Sequence, residues 1–312
     1  MIANEPGIVS GRHRSALRES VAKFLVRWRP ARRAIVWAAL FRELKGRTFA
    51  QQISLAISAA VDWWAYVLHW SEDMPPRALW SAEVRSPRLG VTFHIRGGSD
   101  DLYSVAPFRE GDVHDAILGA LRPGDVFVDV GANIGYYTVL AARRVQPAGS
   151  VVAIEAVPES ARQLERNLRA NGIEGVRLVQ AVASARSGQV TELRIPRGRF
   201  GLASTRRASS GQGSLRVSAP TVALDDICRD LSVIRVMKVD VEGAELDVLR
   251  GAEETLRRTE RVVIECDFDA LAIKEFLMNR GFRIRKLRFT SYILAERAAG
   301  ALQLREEDIR GE

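Results

Sequence analysis

The chain has 312 residues, 47% hydrophobic and 27% charged, enough apolar mass for a sizeable core and too little polar bias for an intrinsically disordered protein. Its two cysteines, Cys228 and Cys266, are too few for a disulfide scaffold or a zinc site, so each reads as a small buried apolar residue in a reducing cytoplasmic setting. The formal net charge of +8 belongs to residues 1–50, where 11 Lys or Arg face 3 Asp or Glu, and all six tryptophans precede residue 81.

Two compositions in one chain predict a basic, Trp-rich helical extension over 1–80, a catalytic domain over 81–300 and a charged tail over 301–312. After a loose start, Leu17, Val21, Phe24, Leu25 and Trp28 recur at helical spacing, with Arg14, Arg18, Lys23, Arg27 and Arg29 on other faces, until Pro30. A basic amphipathic helix can lie on an anionic membrane, so residues 14–70 are a stretch for peripheral contact at the inner membrane surface. The same arm could serve a homodimer. The run Ala34 to Leu44 is short for a span, whereas Thr48 to Ser71 has the length of one and only Asp62 and His69 as ionisable groups. Gln51, Ser54, Ser58, Asp62 and His69 nevertheless share a helical face, and an acid in mid-span is costly without a partner, which favours a helix packed on protein or lying in an interface. No h-region with a small-residue cleavage site follows the Arg-rich start.

Met74-Pro-Pro-Arg77 breaks the chain, Ala82 to Arg96 alternates as a hairpin, and Asp112 to Leu121 is a short helix before the Pro123-Gly124 turn. Val126, Phe127, Val128 and Val130 form a buried strand that runs into Gly131-Ala-Asn-Ile-Gly135 and then a helix, Tyr136 to Arg144. This is the opening βα unit of a nucleotide-type sheet, with exposed helix N–H groups that favour an anion. Position 133 is Asn and no Lys follows Gly135, so neither the dinucleotide nor the P-loop pattern is met. Asp129 at the strand end suits an ammonium group, and acid plus free amides suit the zwitterionic tail of a ligand such as S-adenosylmethionine.

The next strand, Ser150 to Ala156, ends at Glu155, 20 residues beyond Gly135, which is the spacing of a carboxylate that binds a ribose. Glu155 could alternatively cap the helix Pro158 to Asn171. A strand over Arg177 to Ala183 would border an adenine at its end, with Ala181 and Val182. Strands Thr191 to Ile195 and Leu215 to Ala219 enclose a Gly/Ser/Arg-rich loop, Arg197 to Gly213, long enough to be a lid carrying Arg197, Arg199, Arg206 and Arg207. In Ile234 to Val241 and the following Glu242, the residues Lys238, Asp240 and Glu242 share alternation parity. Asp240 and Glu242, with Lys238 beside them, lead for ordering an acceptor and taking its proton, which asks for a raised pKa at Asp240. A Lys238 salt bridge with an acidic cap for a helix Ala244 to Arg258 is the alternative. Strand Arg261 to Asp267, helix Asp269 to Arg280 and a hairpin around Thr290-Ser291 complete the chain.

In order, the motifs Val-Asp-Val-Gly-Ala-Asn-Ile-Gly-Tyr-Tyr-Thr (128–138), Ile-Glu-Ala-Val-Pro-Glu (154–159), Leu-Asp-Asp (224–226) and Lys-Val-Asp-Val-Glu-Gly-Ala-Glu (238–245) resemble the FkbM-type methyltransferase family over about residues 90–296. The resemblance implies an α/β, Rossmann-like class I methyltransferase fold with a seven-stranded, mostly parallel sheet and an antiparallel closing strand. It implies S-adenosylmethionine as cofactor and O-methyl transfer to a hydroxyl of a small-molecule, sugar or lipid-linked acceptor. Asp129, Gly131, Asn133 and Gly135 would then surround the methionine, Glu155 the ribose, and Asp240 with Glu242 the acceptor. No ligand spacing demands a metal, although Asp240, Glu265 and Asp267 could converge at neighbouring strand ends. A nucleic-acid acceptor is disfavoured, because Val-Glu-Gly follows Asp240 where a Pro-Pro-aromatic motif would mark base amino methylation.

Overall fold

The computed structural model describes residues 29–68, 74–205, 214–288 and 290–297. The amphipathic helix expected from Leu17 to Trp28, His69 of the polar stripe, and the arginines Arg206 and Arg207 lie outside them. Pro30 is the second residue of α1 (Arg29–Glu43), where a missing N–H costs little. After the two-residue β1 (Lys45–Gly46), α2 (Phe49–Val67) opens with a capping box in which Thr48 Oγ1 accepts from the Gln51 N–H and Gln51 Oε1 accepts from the Thr48 N–H, both at 3.2 Å. The polar stripe of α2 faces inward. Its Asp62 accepts the Arg33 guanidinium at 2.5 and 2.6 Å and the Trp37 Nε1–H at 2.7 Å, with Arg33 and Asp62 side chains only 7% and 11% exposed. That fork supplies the partner a buried acid requires. No helix among the described residues is long and apolar enough to cross a membrane.

The hairpin β2 (Ala82–Ser86) and β3 (Val91–Ile95) forms a three-stranded antiparallel sheet with β1. The short helices α3 (Asp101–Ser104) and α4 (Gly111–Leu118) lead to β4 (Val126–Val130), α5 (Tyr136–Val145), β5 (Ser150–Ile154), α6 (Pro158–Ala170), β6 (Arg177–Val179) and β7 (Val182–Ala183). Then come β8 (Val190–Ile195), β9 (Leu215–Val222), α7 (Leu224–Ile227), β10 (Ile234–Val239), α8 (Glu245–Arg250), α9 (Glu253–Arg257), β11 (Thr259–Glu265), α10 (Ala270–Met278), β12 (Phe282–Lys286) and β13 (Tyr292–Arg297). Seven strands make one sheet in the order β12-β13-β11-β10-β4-β5-β6. All are parallel except β13, which runs antiparallel between β11 and β12, so the hairpin closes the sheet with β12 at its edge.

Strand order reverses between β4 and β10, and the crevice beyond their carboxyl ends is where open α/β sheets bind ligands. Both faces of β4 are buried, as a near-continuous apolar run demands. Phe127 packs into a cluster with Trp37, Leu40, Val84 and Phe93, while Val128 and Val130 meet Met237, Val239 and Leu249 on the other face. The helical extension thus shares one core with the catalytic sheet. Helix α6 also covers the open edge of β3 with side-chain amides one turn apart. Asn167 and Asn171 accept from the His94 and Thr92 N–H groups at 2.7 and 2.9 Å, and Gln163 and Asn171 donate to their carbonyls.

Two expected elements are broken, each by a contact from far along the chain. The strand over 177–183 divides at Gln180, with β6 staying in the main sheet and β7 leaving to pair with β9. The helix over 244–258 becomes α8 and α9 because the backbone at Gly251 lies against Ser184, whose carbonyl oxygen would stand 2.2 Å from any Cβ there. Asp225 of the Leu-Asp-Asp motif then ties α9 down, accepting the Thr255 N–H and hydroxyl at 2.7 Å each.

The Arg33–Asp62 fork generates a test. Removing one partner of a buried pair leaves the other charge uncompensated, at a cost of about 3–5 kcal/mol. Asp62→Ala should lower the stability of α1 and α2 by that order, read as faster amide exchange across residues 49–67. Wild-type protection in the variant would contradict the fork's role.

Candidate active site

At the reversal point the chain makes two tight turns. Gly131 has φ +77°, and a Cβ on it would lie 1.8 Å from the Asp240 carbonyl oxygen, so the ends of β4 and β10 approach too closely for any side chain. Asn133 follows at φ +50°, a conformation sparsely used outside glycine, and its N–H donates to Glu155 Oε2 at 2.7 Å. The other oxygen, Oε1, accepts from the Val157 N–H at 2.8 Å, at the start of α6. Glu155 therefore ties the turn after β4 to the residue preceding α6, a helix without a side-chain cap, and each oxygen keeps a second lone pair for a ligand. Burial pushes its carboxyl up to about 6, against those two backbone donors.

The second turn leaves β10. Lys238 is 3% exposed, with Nζ 3.1 Å from Asp240 Oδ2, 3.7 Å from Asp129 Oδ1 and 3.4 Å from the Gly131 carbonyl oxygen. Burial would favour the neutral amine, but Asp240 and then Asp129 outweigh it and hold the ammonium charged. Burial likewise opposes the charge on Asp240, yet Lys238, the Tyr292 hydroxyl donating at 2.6 Å and Arg109 together keep it below the ordinary carboxylate range. The raised pKa expected of a base at this position is thus not met; Asp240 is a stable anion. Glu242 lies past the end of β10 at φ +53°, so strand parity no longer governs it. Next, Glu245 Oε1 accepts from the Gly243 N–H at 3.0 Å and from the Val241 N–H at 3.3 Å, closing the turn.

These turns border a cavity of about 150 Å³. Of the residues singled out in the sequence, Gly131, Asn133, Glu155, Ala181, Val182, Asp240, Glu242 and Glu265 line it. Asp129, Gly135 and Lys238 stand behind the wall. Asp129 turns its carboxylate toward Lys238 and accepts the Thr138 hydroxyl at 2.6 Å, so it does not face the space where an ammonium group was expected. Gly135, at φ +89°, lies under α6, where a Cβ would be 2.8 Å from Leu164.

The segment from Phe200 to Ala203 and Thr205, part of the loop read as a lid, lines the cavity as well. It is held there by Arg96, which stacks 3.9 Å over the Phe200 ring while paired with buried Asp101 at 2.6 Å, and by the Ser204 hydroxyl, which donates to the Glu242 carbonyl at 2.7 Å. Asp100, Arg109, Glu110 and Tyr292 complete the polar lining. Asp100, Arg109 and Glu110 sit in loops without a motif, and Tyr292 reaches Asp240 only because β13 inserts next to β11. No local pattern could have revealed them.

Two buried oxygens in this wall, Asp100 Oδ1 and Asn133 Oδ1, find no hydrogen-bond partner among the described residues. A buried acceptor left unpaired is costly, so both ask for a donor from a ligand. Asp240, Glu242 and Glu265 each bring an oxygen within 4.8 Å of the others, a donor set that could take a hard cation, and Asp267 is not among them. Burial, with Asp240, Glu242 and Asp267 nearby, pushes Glu265 up to about 9. Chemically, the cavity offers hydrogen-bond acceptors at one end and an ionised carboxylate at the other.

The methyltransferase FkbM domain profile matches residues 129–284, half of the chain. Over 208 residues the chain is 29% identical to "Methyltransferase 1" of Beauveria bassiana, covering 59% of this chain and 78% of that relative. Over 198 residues it is 28% identical to the hexuronic acid methyltransferase AglP of Haloferax volcanii, covering 60% and 77% respectively. Among solved structures, M. jannaschii TYW2 in complex with AdoMet is similar over 70% of this chain and 87% of its own, at 14% identity and a TM-score of 0.37. The chain belongs to the FkbM methyltransferase family and is an S-adenosylmethionine-dependent methyltransferase.

Proposed function

We propose that this enzyme transfers the methyl group to a hydroxyl oxygen of a small-molecule or glycan acceptor. The observation that carries the reading is Asp240, an anion on the cavity wall, locked by Lys238 and Tyr292 at the strand end next to the Gly131 turn. The residues fit the cofactor. The unpartnered oxygens of Asp100 and Asn133 suit an ammonium group, the spare lone pairs of Glu155 suit ribose hydroxyls, and Ala181 with Val182 on the cavity wall would border the adenine. When bound, S-adenosylmethionine supplies a methyl group activated on sulfonium sulfur.

The chain has then to orient the acceptor, exclude water and receive one proton. Asp240 accepts the acceptor's O–H hydrogen bond and aims its oxygen; held below the ordinary range it is a weak base, so it takes the proton late, once the methyl has left sulfur for oxygen and the O–H has become strongly acidic. Lys238 and Tyr292 keep the carboxylate pointed while this happens, and the Phe200 segment shields it from solvent. A phosphate backbone would meet the carboxylates of Asp240 and Glu242 at the same wall, which disfavours a nucleic-acid acceptor. The name of the hexuronic acid relative supports a sugar hydroxyl, and Arg109 at the cavity wall would suit the carboxylate of a sugar acid. Labelled S-adenosylmethionine offered with uronic acids, neutral sugars and RNA tests the acceptor class; label in RNA alone would overturn the reading.

Asp240→Asn should lower kcat by about 100-fold or more, the usual worth of a proton acceptor, while the calorimetric affinity for S-adenosylmethionine stays within a few-fold. Undiminished turnover would remove Asp240 from the chemistry. Glu155 gives a pH signature. Its folded-state pKa of about 6 exceeds the ordinary 4.5, so ionising it costs stability as pH rises through that window, and a ligand that pairs with the carboxylate recovers the cost. S-adenosylmethionine affinity should therefore weaken as pH falls through about 6, and Glu155→Gln should bind more weakly with a flat profile. An unchanged slope in the variant would assign the titration elsewhere. Turnover should also survive dialysis against EDTA; loss that magnesium or manganese restores would instead give the Asp240, Glu242 and Glu265 cluster to a cation.

A further inference from the structure

Helix α2 buries Leu55 and Ser58 and turns an apolar stripe outward. Among its residues the exposed ones are apolar throughout: Phe49, Ile53, Ile57, Val61 and Trp64, between 45% and 82% exposed, and otherwise alanine. Steps of four, four, four and three residues place them in one stripe, about 23 Å long at ~1.5 Å per residue. Leu68 extends the stripe, and Leu79 and Trp80 lie exposed on the connection that α2 packs against. Meanwhile the polar face is committed inward. Asp62 is held by Arg33 and Trp37, and Ser58 Oγ accepts the Leu79 N–H at 3.0 Å. Rolling the helix to hide the stripe would break these bonds, so the apolar face is held outward.

We infer that α2 lies flat in the surface of an anionic lipid bilayer, with this stripe among the acyl chains. Two observations choose a bilayer over a second copy of the chain, and a third bears on the orientation of α2 in it. Cations lie beside the stripe: Arg32, Arg42, Lys45 and Arg47 are exposed on and beside α1 and α2, and the sequence of residues 1–50 carries 11 Lys or Arg against 3 acids. A two-fold contact would press one such arm against another, whereas anionic headgroups neutralise both. Trp64 and Trp80, each more than half exposed, have the apolar body and polar N–H that suit the headgroup boundary. And no described helix is long and apolar enough to cross a membrane, which leaves the interfacial orientation.

The placement has a consequence for catalysis. Ser58 holds Leu79, the neighbouring Ala78 carbonyl accepts the Gly98 N–H at 2.7 Å, and two residues later Asp100 lines the cavity. The bilayer-facing helix is thus joined to the cavity wall by a short, hydrogen-bonded path, and the cavity works close to the lipid surface. This inference stands on the face of α2 whatever the acceptor proves to be.

The test is flotation of the full chain with vesicles of phosphatidylglycerol and phosphatidylcholine, compared with phosphatidylcholine alone, at low and high salt. The chain should float with the anionic vesicles, less so at high salt, and the double variant Ile53→Asp, Ile57→Asp should reduce the bound fraction by about tenfold or more. Calorimetric binding of S-adenosylmethionine by the variant should match wild type, which separates lost lipid contact from lost folding. Trp64→Phe should diminish fluorescence quenching by brominated lipid. Wild-type protein that stays with the vesicle-free fraction overturns the inference, as does a double variant that floats equally well. A wild-type dimer in sedimentation equilibrium that the double variant splits, with neither form floating, would assign the face to a second copy.

Discussion

One ammonium group, Lys238 Nζ, holds the reaction corner together. It sits behind the cavity wall between Asp129 on β4 and Asp240 just past β10, and also reaches the carbonyl of Gly131. The three contacts join the two strands at which the order of the sheet reverses, and they do so beneath the turn where Gly131 and Asp240 nearly touch. Buried ion pairs are weak stabilisers, since a well-packed apolar replacement is often as good or better, while loss of one member is costly. A charged triad at the centre of an otherwise apolar sheet is better explained by what it does to Asp240. Burial pushes the Asp129 carboxyl up while Lys238 holds Asp240 down, so the triad keeps its negative charge on the carboxylate that lines the cavity.

The same triad explains the roles of the residues around it. Asp129 serves the ligand only indirectly, by sharing Lys238, and Thr138 takes its other oxygen. Glu155 does two jobs because its carboxylate lies where the turn after β4 meets the start of α6; the backbone N–H groups of Asn133 and Val157 orient it. Asn133 and Glu242 both take left-handed backbone conformations without being glycine, one at each turn. Such conformations persist where the surroundings over-determine them, and here the surroundings are the two strand ends and their hydrogen bonds.

Much of the fold could be read from the sequence because its signals are local. The apolar run before Gly131, the spacing to Glu155 and the strand ending at Lys238 each need only a few residues of context, and they assemble into the sheet centre. What could not be read depends on partners far away. Gly251 ends α8 because Ser184 lies against it, Asp225 acts as a clamp only once α9 is beside it, and Tyr292 joins the site because an antiparallel strand enters between β11 and β12. Parity along β10 pointed Lys238, Asp240 and Glu242 the same way, but the strand ends at Val239, after which the backbone turns. Periodicity carries information only while the element that defines it continues.

Helix α2 shows the converse limit. Its apolar and polar stripes were both legible, and the usual hydrophobic-in rule would have turned the helix the other way. The deciding term is a single acid. Unpaired, Asp62 would strongly resist burial, but Arg33 offers both donors of its fork and Trp37 a third, so the polar stripe forms the inner contact and the apolar one is left outside. Exchanging the two faces would bury the isoleucines but expose Leu55 and break the bonds of Asp62 to Arg33 and Trp37. The charge network selects an orientation that hydrophobic burial within the chain alone would reject, and the free energy forgone is available to whatever apolar medium the stripe meets.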